Sequence, residues 1–116
     1  MRIFCCPKCG NIVVGYGMEA PRCCGVELDY LSPIIAGADK QPQVEEMDGA
    51  YCLTWRHPMT KDNYIAAVVL AFYNRIELIR MFPEQEAIVH VSQLKGVDLY
   101  WVVRSQREVT LYKVKV

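Results

Sequence analysis

The stretch Cys6-Pro7-Lys8-Cys9-Gly10, followed a short way along the chain by Cys23-Cys24-Gly25, decides the fold of the N-terminal part of this protein. Two cysteines separated by two residues lie on one tight turn, in which proline sets φ and glycine accepts a positive φ. Backbone N–H groups of such a turn point at sulfur and help to hold it as thiolate. A second cysteine pair completes a tetrahedral four-sulfur shell, which suits zinc or a single iron. We predict one Fe or Zn per chain, bound by Cys6, Cys9, Cys23 and Cys24.

The adjacent pair Cys23-Cys24 sets a geometric condition on this site. Neighbouring side chains on an extended chain point to opposite sides, so the backbone must bend for both sulfurs to reach one ion. Gly25 is placed to permit that bend. Cys5 competes with Cys6 for the first position, although a Cys5-to-Cys9 spacing loses the knuckle geometry. Cys52 lies in an alternating apolar run and is interpreted as a small core residue.

Composition narrows the class of protein. The 116 residues contain 13 Lys and Arg against 13 Asp and Glu, so the formal net charge is zero. With this balance the chain has no excess of positive charge that would attract nucleic acid or an anionic membrane. No apolar run is long enough to span a membrane, and no signal segment begins the chain. Cysteines grouped in a metal pattern, rather than spread as disulfides, favour a reducing cytoplasm.

Two domains are expected, with a boundary near residue 36. Residues 1–36 are too few to bury a stable core alone, and a metal is the usual remedy. From Ser32 to Met47 two prolines, a glycine and small or polar residues show no sustained period, and we interpret this stretch as the linker. Residues 37–116 form the second domain.

The second domain has the pattern of short β-strands. Tyr51, Leu53 and Trp55 alternate with polar or smaller residues, and Tyr64 to Tyr73 is a nearly continuous apolar run typical of a central strand. A helix over Ile65 to Phe72 is the rival interpretation. Further strands are predicted over Ile76–Phe82, Ala87–Ser92, Val97–Arg104 and Val109–Val116. Six or seven strands at this spacing predict an all-β, antiparallel sandwich.

Two motifs together resemble one known family. Cys6 to Val13 with Cys23-Cys24-Gly25 resembles the N-terminal module of the desulfoferrodoxins, the superoxide reductase family. The segment from His57 to Ile65 is similar to that family's His-Pro-Met-x-x-x-His-Tyr-Ile motif, and Asp48 to Tyr51 to its Asp-Gly-Gly-Tyr. The resemblance implies a desulforedoxin-like domain followed by an immunoglobulin-like sandwich, and a protein that commonly forms dimers.

In that family the sandwich binds a second iron through four histidines and an axial cysteine, and this iron reduces superoxide. Carried over residue by residue, the ligand set is degenerate. His57 matches one histidine, Asn63 stands at the next, and Gln41 stands at the linker histidine. Tyr100 to Thr110 contains neither the cysteine nor the last histidine. One ligand of five is matched, so we do not expect superoxide reduction at this position.

The remaining candidate residues have ordinary interpretations. His57 is expected to be hydrogen-bonded beside a proline turn, with a two-histidine site including His90 as the alternative. Asn63 is expected to form hydrogen bonds with polar groups that a bound metal would otherwise hold in place. Lys61 is interpreted as a solvated loop lysine. The aromatic residues that either line a cavity or pack in the sandwich, the second being favoured, are Trp55, Tyr100, Trp101 and Tyr112.

Three functions remain open on the sequence. A four-thiolate iron would make the protein a one-electron carrier that works with a redox partner protein. A zinc in the same shell would only stabilise the small domain, and the sandwich would then bind a protein partner. An enzyme with an unrecognised pocket is a third hypothesis. Sequence does not distinguish iron from zinc in four thiolates.

Overall fold

The computed structural model describes residues 1–17, 19–106 and 108–115, and every regular element in these ranges is a β-strand. The strands are β1 (Arg2–Cys5), β2 (Ile12–Gly15), β3 (Arg22–Cys23), β4 (Val26–Glu27), β5 (Ile34–Ile35), β6 (Gln43–Met47), β7 (Ala50–Thr54), β8 (Asn63–Ala71), β9 (Ile76–Arg80), β10 (Ile88–Val91), β11 (Asp98–Ser105) and β12 (Val109–Lys115). The predicted last strand ended at Val116, which lies outside the described residues. The all-β prediction is confirmed, and the helical alternative for Ile65 to Phe72 is wrong.

The chain divides into two compact units, Met1–Ser32 and Pro33–Val116. The first unit contains two small antiparallel sheets, β1 with β2 and β3 with β4. An isolated bridge joins Phe4 to Tyr30, which brings the end of this unit back to its first strand. One cluster of its core comprises Phe4, Cys6 and Leu28, with Val13 and Cys23 packed against them. Ile3, Cys5 and Ile12 are also buried.

The second unit is a sandwich of two sheets. One has five strands in the order β5-β12-β11-β8-β9, and the other has three in the order β10-β7-β6. All neighbours are antiparallel except β5 and β12, which pair in parallel. The apolar run predicted to be a central strand is β8, which pairs with β11 on one side and β9 on the other. Ile65 to Leu70 are buried along it, so its continuous hydrophobicity reflects its position inside the unit.

The core of the sandwich is built from alternating side chains of both sheets. Leu53 and Val89 come from the three-stranded sheet, and Leu70, Leu99 and Trp101 come from the five-stranded sheet. Trp101 is the largest side chain that is fully buried. Full burial of a large apolar side chain contributes of the order of 2–3 kcal/mol. The buried aromatic and aliphatic residues therefore dominate the stability of the unit.

The structure corrects two predictions about the chain before residue 55. The supposed linker contains β6, which pairs with β7 through a hairpin at Asp48-Gly49, and β5, which pairs with β12. Cys52 is not a core residue. Tyr51 and Leu53 contact the core, whereas Cys52 is half-buried on the opposite face of β7, where its Sγ lies 4.0 Å from Thr54 Oγ1. A strand alternates faces, so Leu53 in the core excludes Cys52 from it.

No helix among the described residues is long and apolar enough to cross a membrane.

Candidate metal centre

The first half of the cysteine cluster lies on the turn between β1 and β2. Gly10 N donates to Cys6 O at 2.9 Å, and Cys6 N donates to Asn11 O at 2.9 Å, which closes the turn. Gly10 has φ of 78°, a left-handed conformation that costs a residue with a Cβ about 1–2 kcal/mol. The turn therefore uses Gly10 as the motif predicts. Cys6 is fully buried at its start and Cys9 is exposed on its far side.

The adjacent pair Cys23-Cys24 lies on a two-residue hairpin turn. Cys23 pairs with Val26 as the last residue of β3, so Cys24 and Gly25 are the two central residues of the turn. Both have positive φ, 53° and 75°, the combination found in type I′ turns. The predicted bend is therefore a left-handed step at Cys24 itself as well as at Gly25. It brings the sulfur of Cys24 to the same side as the sulfur of Cys23, and their Sγ atoms lie 3.9 Å apart.

The two turns bring four sulfurs together. The Sγ atoms of Cys6, Cys9, Cys23 and Cys24 all lie within 4.8 Å of one another, and the Sγ atoms of Cys9 and Cys23 are 3.5 Å apart. A tetrahedral ion with metal–sulfur bonds of about 2.3 Å requires sulfur–sulfur distances of roughly 3.8 Å. The measured distances of 3.5 and 3.9 Å bracket this value. The donor set and its spacing are therefore compatible with a rubredoxin-type site.

The thiols of Cys6, Cys23 and Cys24 have different pKa values. The backbone N–H groups of Cys9 and Lys8 donate to Cys6 and lower its pKa to about 6, although burial opposes the shift. In contrast, Cys23 as a protonated thiol donates to Cys9 and Cys6, and these contacts raise its pKa to about 12. Contacts with Cys9 and Cys6 also raise the pKa of Cys24. Crowded sulfurs thus retain protons, which a bound cation must displace.

The two other cysteines lie outside this group. Cys5 is buried, and its Sγ lies 3.8 Å from the backbone oxygen of Cys6. Cys52 belongs to the second unit. Of the competing first positions, Cys6 is the one whose sulfur joins the cluster.

The second unit offers no comparable shell. Within the described ranges, the four cysteines are the one group of three or more His, Cys, Asp or Glu side chains close enough to share an ion. His57 Nε2 lies 2.9 Å from Asn63 Oδ1, so this nitrogen is engaged by an amide. The hydrogen-bonded role predicted for both residues is confirmed. His90 is exposed on β10, where it pairs with Cys52.

Gln41, which stands where the resemblance puts a further histidine, also has a partner of its own. Its Nε2 donates to Ala36 O at 3.0 Å. This contact closes the segment between β5 and β6. The residues present in the sandwich therefore do not fit an iron: one imidazole is hydrogen-bonded to an amide, and a second amide is hydrogen-bonded to backbone.

A cavity of about 70 Å³ lies beside His57. It is lined by Asp39, Lys40, Trp55, Arg56, His57, Trp101, Val103 and Tyr112. Burial lowers the pKa of His57, the hydrogen bond with Asn63 partly opposes this, and the nearby Lys40 ammonium lowers it further. The imidazole is thus neutral at pH 7.

Sequence reasoning missed Lys40 and Arg56 at this cavity, and it considered Lys61 instead. Lys61 is exposed and lines a separate hollow with Tyr64 and Arg104, in agreement with a solvated lysine. The dipeptide Asp48-Gly49 was the sequence signal that could have indicated where the loop with Lys40 lies. A hairpin dipeptide implies a strand before it as well as after it, and that strand fixes where the preceding loop lies.

The aromatic residues have both of the roles that the sequence allowed. Trp55 and Trp101 meet edge to face with ring centroids 5.6 Å apart, and Trp101 stacks on Tyr112 at 5.7 Å. They pack in the core and also line the cavity. Tyr100 does not line it; its ring lies 5.4 Å from Lys113 Nζ.

Comparisons with known proteins bear on the fold. No model of a known protein family matches the sequence, and no curated protein matches it. Among solved structures, the chain is similar to the crystal structure of the superoxide reductase from Treponema pallidum. The TM-score is 0.75 at 18% identity, over 98% of this chain and 97% of the other. The chain thus has a superoxide-reductase-like fold, an all-β knuckle unit followed by a β-sandwich, with a four-cysteine cluster in the knuckle unit.

Proposed function

We propose that this protein is a one-electron carrier whose cysteine cluster holds a single iron. The observation that carries the proposal is the arrangement of four sulfurs within 4.8 Å of one another. Four thiolates hold iron in both oxidation states with little change of geometry, which supports transfer of single electrons. Since no oxygen or nitrogen donor belongs to the cluster, a hard cation such as magnesium is disfavoured.

The exposure of the cluster supports an exchange of electrons with a partner protein. Cys6 is buried and Cys23 half-buried against Phe4 and Leu28, whereas Cys9 and Cys24 are exposed. One edge of the cluster is thus anchored in the core of the unit, and the other edge faces solvent. A redox partner that docks at Cys9 and Cys24 would approach the sulfurs directly. The reducing cytoplasm is the compartment that suits these thiolates.

Superoxide reduction is not part of the proposal. A solved structure with this fold is a superoxide reductase. In this chain, His57 is the one imidazole in the segment that resembles the family motif, and its Nε2 is hydrogen-bonded with Asn63 Oδ1. We expect purified protein to reduce superoxide no faster than a variant that lacks His57. A rate that falls strongly in His57→Ala would contradict this expectation.

A structural zinc is the second candidate. The cluster of buried residues at the sulfurs comprises Phe4, Cys6 and Leu28, and Ile3, Cys5 and Ile12 are buried elsewhere in the unit. A core of this size is small for some 30 residues without a metal. A closed zinc shell would supply that stability without redox chemistry. In this case the sandwich would bind a protein partner.

Metal analysis combined with a visible spectrum distinguishes the two candidates. Protein made in iron-replete medium is expected to contain one iron per chain and to be coloured when oxidised. The thiolate-to-iron absorption should bleach with dithionite and return in air. Colourless protein with one zinc per chain would overturn the electron-carrier proposal and favour the structural one. Cys52→Ser, outside the cluster, serves as the matched control and should behave as wild type.

A further inference from the structure

Strand β6 is an open edge of the sandwich. The three-stranded sheet has the order β10-β7-β6, so β6 pairs with β7 on one side and with no described strand on the other. All five of its residues, Gln43–Met47, are exposed. An open edge presents backbone N–H and C=O groups that can pair with a strand of another chain. The edge is therefore a candidate docking surface, and its register shows which backbone groups it offers.

The hairpin turn after β6 fixes the direction of these groups. Asp48 and Gly49 both have positive φ, as in a two-residue type I′ turn, and Met47 pairs with Ala50 across it. The pair that closes such a turn is hydrogen-bonded, and hydrogen-bonded pairs alternate with non-hydrogen-bonded pairs along an antiparallel ladder. Every second residue of β6, counted back from Met47, thus bonds its backbone groups to β7.

The two intervening residues direct their backbone groups to the open edge. Val44 pairs with Leu53 and Glu46 pairs with Tyr51, and by this alternation both are non-hydrogen-bonded pairs. Their side chains lie on the same side of the sheet as Leu53 and Tyr51, which contact the core. Val44 is nevertheless 49% exposed, and Glu46 is exposed. The opposite sheet therefore leaves this edge uncovered, and a further strand has room beside it.

The edge carries a local excess of negative charge. Between Gln41 and Trp55 the sequence contains Glu45, Glu46 and Asp48 and no lysine, arginine or histidine, although the formal net charge of the chain is zero. Like charges directly opposite each other destabilise a pair of strands, whereas opposite charges stabilise it. A second copy of β6 would bring glutamates against these glutamates. The edge thus disfavours self-association and favours a strand with basic side chains.

The other edges of the sandwich lack this combination of length and charge. β5 has two residues, β9 contains Glu77 and Arg80 with opposite charges, and β10 contains His90 and no carboxylate. In contrast, β6 has five residues in unbroken register with β7. It contains no proline, lysine or bulge, which are common means of blocking an edge. Of these edges, β6 is the one best suited to accept a strand.

We propose that β6 binds an extended, basic segment of a protein partner as an antiparallel fourth strand of the three-stranded sheet. Lysine or arginine side chains of the segment lie opposite Glu45 and Glu46, on the two faces of the sheet, and an apolar side chain lies opposite Val44. Backbone hydrogen bonds with Val44 and Glu46 supply the pairing, and the charges select the partner. The site does not depend on which metal the cysteine cluster holds.

A labelled peptide with the core Val-Lys-Lys-Val-Thr tests the proposal on the full, metal-loaded chain. In antiparallel pairing its lysines lie opposite Glu45 and Glu46. Fluorescence anisotropy should show saturable binding, which Glu45→Gln and Glu46→Gln should each weaken by about two- to fivefold, the range for one exposed charge pair. Glu86→Gln, at an exposed carboxylate elsewhere in the unit, is the control and should leave binding unchanged. Equal affinity in all three variants and wild type would overturn the proposal.

Two methylated peptides of equal charge separate strand pairing from charge attraction alone. Methylation of the backbone nitrogens that face Val44 and Glu46 removes the donors of the ladder. It should weaken binding by about tenfold or more, since two hydrogen bonds are lost. Methylation of the intervening nitrogens, which point away from β6, should have little effect. If both methylated peptides bind as tightly as the parent, the segment does not add to the sheet and the proposal fails.

Hydrogen exchange measured by NMR locates the bound peptide. The amides of Val44 and Glu46 should exchange rapidly in the free protein and slow down when the peptide is bound. The amide of Glu45, which belongs to the ladder with β7, should be protected in both states. Peptide binding without new protection at Val44 and Glu46 would place the segment elsewhere. Protection of both amides in the free chain would show that the edge is already occupied, and either result would overturn the proposal.

Discussion

The two units of this protein differ in whether their potential metal ligands come together. In residues 1–32, two turns, over residues 6–11 and 24–25, bring four sulfurs within 4.8 Å of one another. In residues 33–116, the positions where the sequence resemblance would place metal ligands hold His57, Asn63 and Gln41, and each amide has its own hydrogen bond. The first site is made by local backbone geometry, whereas the second would have to be assembled from distant segments.

This difference shows that one short motif can specify a local site, whereas a non-local site needs the right residues in several distant segments. A knuckle is specified by a short motif, because proline and glycine fix the turn and the turn fixes the sulfurs. A site at the end of a sandwich needs side chains from several strands, and replacement of one of them leaves polar groups that need new partners. The hydrogen bond between His57 and Asn63 satisfies this requirement. The following predictions test the contrast.

Removal of one sulfur should have the largest effect. Cys9→Ser or Cys24→Ser should abolish stoichiometric metal binding, because a structural four-thiolate site contributes of the order of 10 kcal/mol or more to folding of a small module. Residues 1–32 should then lose protection in hydrogen exchange, while the strands of residues 33–116 keep theirs. Variants with full metal occupancy would show that the ligand set is wrong. Cys52→Ser is the control.

Acid should weaken metal binding in two stages. Cys23, with a pKa of about 12, and Cys24, with a raised pKa, are protonated at pH 7, so an ion must displace at least two protons. Cys6, with a pKa of about 6, is mainly thiolate at pH 7 and binds a proton only below about pH 6. The logarithm of metal affinity should therefore fall by at least two for each unit that the pH decreases toward 6, and more steeply below pH 6.

Competition with a chelator across pH 5 to 8 measures this dependence. A pH-indicator dye should also report at least two protons released for each ion bound at pH 7. Affinity that is independent of pH, or release of less than one proton, would contradict the thiol assignments.

Sequence predicted the cysteine cluster better than the sandwich, for physical reasons. The turn residues Gly10 and Gly25 carry local information, and both adopt the positive φ that the motif requires. The strand β8 was recognisable because six consecutive residues are buried. In contrast, β6 is an exposed edge strand without apolar alternation, and β5 pairs over two residues with the distant β12. The cavity at His57 depends on such long-range pairings, and the hairpin dipeptide Asp48-Gly49 was the one local signal for the strand that follows Lys40.

Two hairpin turns of equal geometry allow a matched test of backbone strain. Cys24-Gly25 has φ of 53° and 75°, and Asp48-Gly49 has φ of 51° and 79°. A Cβ at either glycine meets no atom within 4 Å, so alanine is opposed by conformation and not by space. Gly25→Ala and Gly49→Ala should each cost about 1–2 kcal/mol, the cost of a left-handed residue with a Cβ.

The consequences should differ between the units. Gly25→Ala should speed metal loss to a chelator, whereas Gly49→Ala should lower the unfolding temperature of the sandwich and leave metal loss unchanged. Equal effects of both variants on metal loss would show that the bend at Cys24-Gly25 does not position the sulfurs.

The smallest effect is expected when a second imidazole is introduced beside His57 by the substitution Asn63→His. Asn63→His should not create a metal site, because His57 and residue 63 together supply only two ligands, and neither belongs to a group of potential ligands among the described residues. The loss of the 2.9 Å hydrogen bond should cost about 1 kcal/mol of unfolding free energy, as in the control Asn63→Ala. In Asn63→Ala the pKa of His57 should fall further, because the bond with Asn63 raises it against the effect of burial. An NMR titration of the imidazole measures this shift. A second stoichiometric iron in Asn63→His would contradict the contrast between the units, since it would mean that the sandwich lacks only one ligand.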